Sequence, residues 1–355
     1  MEEVEGGVSM QTLNPTTYIE NMDRAVPRRY DYTKVIETGN WEDWQRKFRE
    51  ELRETTGLAA VAAQNAGLPL KPRQEGVEHF PTYTREKMYI QSEPGIEIAF
   101  YLLLPKVGQG PFPLVLTPHG HGRRGKEVYV ANFESEQEEK ESMEGDRDIA
   151  VQAVEAGYAA IAMDVRGFWE MGYEEDVRKG KNNSCTEMQK RAYMYGRTLI
   201  GERVYDMGRL IDYASTRPEI DDSRIAITGN SGGGTVSLFT AALDERISVC
   251  VPGSYFNTFH ASIMGMEHCL CNHIPGMMHL GEMYDVVGLI APRPLLAVNG
   301  VKDPIYPSAA AKEAFEHVQR IYEARGVPER CELYLGHGGH RYYKAPVWPF
   351  MKKYL

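Results

Sequence analysis

The chain has 355 residues, 42% of them apolar and 25% charged, with a formal net charge of −10. That composition is ordinary for a folded globular chain and excludes wholesale disorder, while the negative field disfavours nucleic acid and anionic lipid as partners. No stretch approaches the ~18 consecutive apolar residues a membrane-spanning helix needs, so no membrane partner is expected.

Residues 18–32 are polar and read as irregular. In 41–63 the residues Trp41, Trp44, Phe48 and Leu52 recur at helical spacing, Asn40 gives a cap-like start, and Gly67, Pro69 and Pro72 end the run. The stretch 1–82 is therefore expected to be a helical extension packed on a main domain of 83–355. Residues 87–91 and 97–104 read as strands of a hairpin turning at Pro94-Gly95. A short apolar strand at 113–117 runs into His119-Gly120-His121-Gly122. Then come a helix at 148–156 closed by Gly157, a buried strand at 158–164, and an amphipathic helix at 200–216 that stops before Pro218. A strand at 224–228 is followed by a helix at 233–243, and further strands are expected at 247–251, 295–299 and 331–335. Helices at 309–325 and 348–355 complete the pattern. Strands separated by helices imply the α/β class, a mostly parallel twisted sheet covered on both faces. Two long stretches, 168–198 and 254–285, interrupt the rhythm and are expected to be insertions that form pocket walls. The acidic run 134–144 reads as a solvated loop or helix face.

The five cysteines (Cys185, Cys250, Cys269, Cys271 and Cys331) are few, odd in number and scattered. They argue against a disulfide framework and for a reducing compartment. With an acidic start, Met-Glu-Glu-Val-Glu-Gly-Gly, and no apolar segment of secretory type behind it, the expectation is a cytoplasmic protein.

The run Gly229-Asn230-Ser231-Gly232-Gly233 carries the chemistry because it lies between the strand at 224–228 and the helix at 233–243. A serine there occupies a tight strand-to-helix turn, and small residues at 229 and 233 let the flanking chain come close. The turn lifts the hydroxyl above the sheet at a helix N-terminus, where developing negative charge is favoured. A serine hydroxyl needs a base held by a carboxylate, and in this architecture acid and then histidine follow the nucleophile along the chain. Asp303 lies just past the strand 295–299, and His340 follows the strand 331–335 on the glycine-rich loop Gly336-His337-Gly338-Gly339-His340. His340 is preferred over His337 because the two extra glycines let the loop curl back over the sheet. Glu267, in the second insertion, is a rival for the acid. Two backbone donors must face the carbonyl oxygen as it gains charge; the amides of Gly232 and His121 are expected to supply them, with His119 holding the loop. Arg123, Tyr255 and His268 are the candidate substrate contacts.

The run His268-Cys269-Leu270-Cys271-Asn272-His273, with His279 nearby, carries ligand-type side chains. Cys-x-Cys-x-His is not a usual zinc spacing, however, and no second cysteine pair accompanies it. No phosphate-cradling or dinucleotide fingerprint appears either, so neither a metal nor a cofactor is expected.

With these residues in hand, the chain resembles the acetyl xylan esterase-like enzymes of the α/β-hydrolase superfamily, and more distantly dienelactone hydrolases and prolyl oligopeptidase-type peptidases. The resemblance runs from about residue 83 and rests on Pro118-His119-Gly120-His121-Gly122, Asp164-Val165-Arg166-Gly167, Arg217-Pro218-Glu219-Ile220-Asp221, Gly229-Asn230-Ser231-Gly232-Gly233-Gly234, Ala291-Pro292-Arg293-Pro294-Leu295-Leu296 and Asp303-Pro304. It implies hydrolysis of short acyl esters, of sugars among them, by a triad of Ser231, Asp303 and His340. The expected partner is a small-molecule ester, and a homo-oligomer stays open. A serine peptidase or amidase of the same fold, and a non-catalytic binding protein, are the alternatives.

Overall fold

The structure, a computed structural model, describes residues 15–355. Its centre is one sheet of nine strands: β1 (Arg73–His79), β2 (Tyr83–Glu93), β3 (Ile96–Pro105), β4 (Phe112–Leu116), β5 (Ala159–Met163), β6 (Ile220–Asn230), β7 (Ile247–Gly253), β8 (Leu295–Gly300) and β9 (Cys331–Gly336). The spatial order is β1-β2-β3-β5-β4-β6-β7-β8-β9. The first three strands and the β3–β5 pair are antiparallel, and β5-β4-β6-β7-β8-β9 run parallel. This is the α/β-hydrolase fold anticipated from the sequence.

Side-chain alternation along the strands fills two cores, one per face. Leu114, Leu116, Ile225, Ile227, Leu295 and Ala297 point into the larger one, while Val115, Ala226, Leu296 and Val298 point into the other. The larger core is closed by helices that include Trp41–Thr55, Leu199–Ala214, Gly232–Leu243 and Ser308–Ala324. The opposite face carries Ile149–Glu155 and Lys344–Tyr354. The stripe Trp41, Trp44, Phe48 and Leu52 is buried in the larger core, as its helical spacing requires.

The differences from the sequence reading are local. The helix expected across 41–63 is two helices, Trp41–Thr55 and Leu58–Gln64, parted at Gly57. A helix, Pro15–Ala25, begins before the stretch read as irregular and runs into it; the acidic run 134–144, by contrast, is a helix face as one of its two readings had it, Glu136–Glu144, whose start Ser135 caps by accepting from the Glu138 amide. The strand β1 falls inside the stretch expected to be helical and forms the sheet edge against β2; all seven of its residues are exposed.

Below the site, one buried ion cluster braces the chain after β5. The Arg166 guanidinium donates to both carboxylate oxygens of Asp206 (2.7 and 2.8 Å), to Glu93 (2.5 Å) and to Ser92 Oγ (2.9 Å). It thereby ties the end of β2 to the helix Leu199–Ala214. Burying a guanidinium is tolerable because its donors are matched by acceptors.

Topology places the cavity. The chain leaves β4 toward β5 on one side, and β6 leads to β7 on the other. Loops at the carboxyl ends of β4 and β6 therefore diverge and open a crevice at the switch point.

Candidate active site

Ser231 sits at the turn between β6 and the helix Gly232–Leu243, with φ 58° and ψ −118°. A positive φ is costly for a residue with a side chain and persists only where the surroundings impose it. Here the imposition is visible: the Ser231 amide donates to Gly253 O (2.8 Å) on β7, and the Asn230 amide donates to Tyr129 Oη at 3.2 Å. A Cβ on Gly229 or on Gly233 would stand 2.1 Å from the carbonyl oxygen of Pro118. The glycines at these two positions thus let the β4 loop lie against the elbow. Gly233→Ala should cost about 1–3 kcal/mol of stability through overpacking against rigid backbone, and should depress turnover by pushing the 118–122 loop away. Gly76→Ala, where the added carbon meets nothing within 4 Å, serves as the control in urea unfolding. Equal unfolding midpoints for the two variants would refute the packing argument.

The β4 loop is held from below by His119. Its Nε2 accepts from the Val165 amide (3.0 Å) and its Nδ1 donates to Gly120 O (2.7 Å). Both ring nitrogens are thus occupied in one tautomer, and burial pushes its pKa down to about 3. His119 is a neutral strut, the loop-holding role expected of it. Gly120 presses on the elbow, where a Cβ would come 2.5 Å from Asn230 O. The ring of His121 reaches over Gly232, its Nδ1 only 3.2 Å from the position a Cβ on that glycine would take. The segments carrying the His121 and Gly232 amides are therefore in contact.

Asp303 and His340 meet across the loops after β8 and β9. His340 Nδ1 donates to Asp303 Oδ2 at 2.8 Å. The other carboxylate oxygen accepts from the amides of Ile305 (2.9 Å) and Tyr306 (3.2 Å), and the Asp303 side chain is fully buried. The Tyr306 ring stacks on the His340 imidazole, 5.8 Å between centroids. Nδ1 being the donor, Nε2 is left as the acceptor. His340 and Ser231 line one cavity of 420 Å³, together with Gly120, His121, Tyr129, Arg147, Glu267 and His268. Among the described residues no hydrogen bond joins Ser231 Oγ to His340, as is common where no substrate is bound. His337 is exposed, and Glu267 lines the cavity, but it is Asp303 whose carboxylate His340 bonds.

Of the three candidate substrate contacts only His268 reaches this wall, where its Nε2 lies 3.2 Å from Tyr306 Oη. Arg123 instead pairs with Glu134. Tyr255 is fully buried and packs edge-on against Tyr306. Tyr129 and Arg147, which the sequence did not single out, do line the cavity. A larger cavity, 960 Å³, opens between the N-terminal segment and the second insertion around Arg28, Phe259 and Glu282; neither Ser231 nor His340 is on its wall.

One grouping joins segments far apart in sequence. His121, Cys185, Cys269 and Cys271 each offer a ligand-type atom, and these atoms all lie within 4.8 Å of one another. Hydrogen bonds from the Cys185 and Cys269 thiols and the nearby Arg203 charge hold the Cys271 thiol well below its usual range in spite of burial. Of the histidines considered for a metal from the sequence, His268 bonds Tyr306, and His273 and His279 line the larger cavity.

Known proteins place the chain in a family. The family described as acetyl xylan esterase (AXE1) matches residues 42–268, a span that holds the β4 loop and Ser231 and stops short of Asp303 and His340. A Bacillus subtilis (strain 168) protein assigned as a hydrolase, YtaP, is 29% identical over 246 residues, 68% of this chain and 77% of its own length. The acetyl esterase Axe7A of Xylanibacter ruminicola is 26% identical over 194 residues, 52% of this chain and 37% of Axe7A. Among solved structures, a Bacteroides fragilis NCTC 9343 protein assigned as an acetyl xylan esterase superposes with a TM-score of 0.74 at 20% identity, covering 92% of this chain and 82% of that one. The chain belongs to the acetyl xylan esterase family of the α/β-hydrolase superfamily and is a carboxylic ester hydrolase.

Proposed function

We propose that the chain hydrolyses short-chain esters, acetyl esters of sugars among them, through an acyl-enzyme formed on Ser231. The observation that carries this reading is the 2.8 Å His340–Asp303 bond beside a cavity that both His340 and Ser231 line. His340 Nε2 takes the hydroxyl proton as Ser231 Oγ attacks the ester carbonyl carbon. The oxyanion that forms accepts from the amides of Gly232 and His121, fixed donors that need no rearrangement as charge develops. His340 then returns the proton to the leaving alcohol. Water, deprotonated by the same imidazole, attacks the acyl-serine and releases the acid. A cavity of 420 Å³ is at the small end for ligand sites, which suits a short acyl group. Arg147, Glu267 and His268 on its wall offer hydrogen bonds to a hydroxylated alcohol. The five free cysteines support a reducing, cytoplasmic setting.

A fluorophosphonate should label Ser231, and among matched substrates acetyl esters should turn over far faster than long-chain esters or amides. No labelling would sink every serine mechanism. Amides outrunning esters would favour the peptidase reading instead.

A further inference from the structure

His121, Cys185, Cys269 and Cys271 come from three segments far apart in the chain: the β4 loop, the insertion 168–198 and the insertion 254–285. No fold requirement brings three cysteines and a histidine from such places to one point. Cys271 Sγ is 3.6 Å from His121 Nε2. A tetrahedral zinc ion has Zn–S near 2.3 Å and Zn–N near 2.0–2.1 Å, which sets sulfur–sulfur separations of about 3.8 Å. Ligand atoms within 4.8 Å of one another therefore reach that geometry by closing about 1 Å.

A second observation concerns Arg203. Its side chain is among the largest fully buried ones in the described protein, 1% exposed. Its guanidinium donates to Arg166 O (3.1 and 2.7 Å) and to Cys185 Sγ (3.3 Å), and it lies over the Phe168 ring. Among the described residues no carboxylate pairs with it. A buried guanidinium needs a negative partner, and here the cysteine cluster is what it faces. A dication held by three thiolates and a neutral imidazole carries one net negative charge, which Arg203 balances.

We propose that these four side chains form a structural zinc site that fastens both insertions to the β4 loop. Thiolate-rich tetrahedral sets select zinc among the common divalent ions, and a full set of four protein ligands marks a structural rather than a catalytic ion. The ion takes the cysteines as thiolates and His121 as a neutral imidazole, so any proton these four groups still carry leaves to solvent on binding. The imidazole of His121 is then a ligand, and on the proposed ester mechanism the ion would stiffen the loop that carries the His121 amide donor.

Zinc measured by mass spectrometry on protein purified without chelator should come to about one ion per chain. Cys271→Ser and Cys185→Ser should lose most of it, whereas Cys331→Ser, outside the cluster, should keep the wild-type content. Cobalt(II) added to chelator-stripped wild type should produce tetrahedral d–d bands and a sulfur-to-cobalt charge-transfer band, and this arm needs no variant to fold. Absence of stoichiometric zinc together with absence of those bands would overturn the proposal, as would a disulfide within the cluster in freshly purified protein. None of these readouts depends on ester turnover, so they stand apart from the assignment of Ser231.

Discussion

Ser231→Ala should lower ester turnover by about 10⁶-fold, the loss typical of removing the nucleophile of a catalytic triad, with little change in unfolding free energy. The two halves of this expectation have separate origins. Turnover is lost because no other hydroxyl at the elbow can form the acyl intermediate. Stability is kept because the strained turn is imposed by backbone: the hydrogen bond from the Ser231 amide to Gly253 O and the one Ser231 O accepts from the Thr235 amide (3.0 Å) both survive truncation at Cβ. Alanine meets the φ of 58° at about the cost serine already bears. Initial rates on an acetyl ester and urea unfolding of the same preparation check both halves. Turnover within tenfold of wild type would remove Ser231 from the mechanism.

What the sequence discloses about such a site depends on whether the signal is local. Ile225-Ala226-Ile227 alternates between the two cores and is followed by the glycine run, so strand, turn and helix are all written within the one stretch 224–243. Asp303 and His340 likewise follow strands directly, and their order after Ser231 is dictated by the parallel topology. By contrast β1, Arg-Gln-Glu-Gly-Val-Glu-His, has no buried face. It is a strand only because β2 offers an edge to pair with, and no hydrophobic period records that. Arg123 neighbours the oxyanion loop in sequence, yet it is drawn off by Glu134. The Cys185–Cys271 grouping is invisible for another reason: its members are supplied by loops whose conformations are set by tertiary packing, and the spacing of Cys269 and Cys271 alone matches no usual ligand pattern. Elements built on period and turn chemistry can be read from the chain; those built on long-range pairing cannot.

Asp303→Asn should lower turnover by about 10⁴-fold while leaving the fold intact. The substitution changes one atom of the group and nothing in its volume. Two backbone amides, of Ile305 and Tyr306, point at Asp303 Oδ1, and they demand an oxygen there. The new amide nitrogen is therefore forced into the place of Oδ2, facing His340 Nδ1 at what is now 2.8 Å. An NH₂ group there is a donor, so Nδ1 must become the acceptor and the ring proton moves to Nε2. That tautomer cannot take the serine proton, and the buried negative charge that would stabilise the imidazolium is also gone. Glu267→Gln, on the same cavity wall but not bonded to His340, should produce a far smaller loss. Steady-state kinetics on both variants decide between the two carboxylates: a Glu267→Gln loss as large as that of Asp303→Asn would move the acid role away from Asp303.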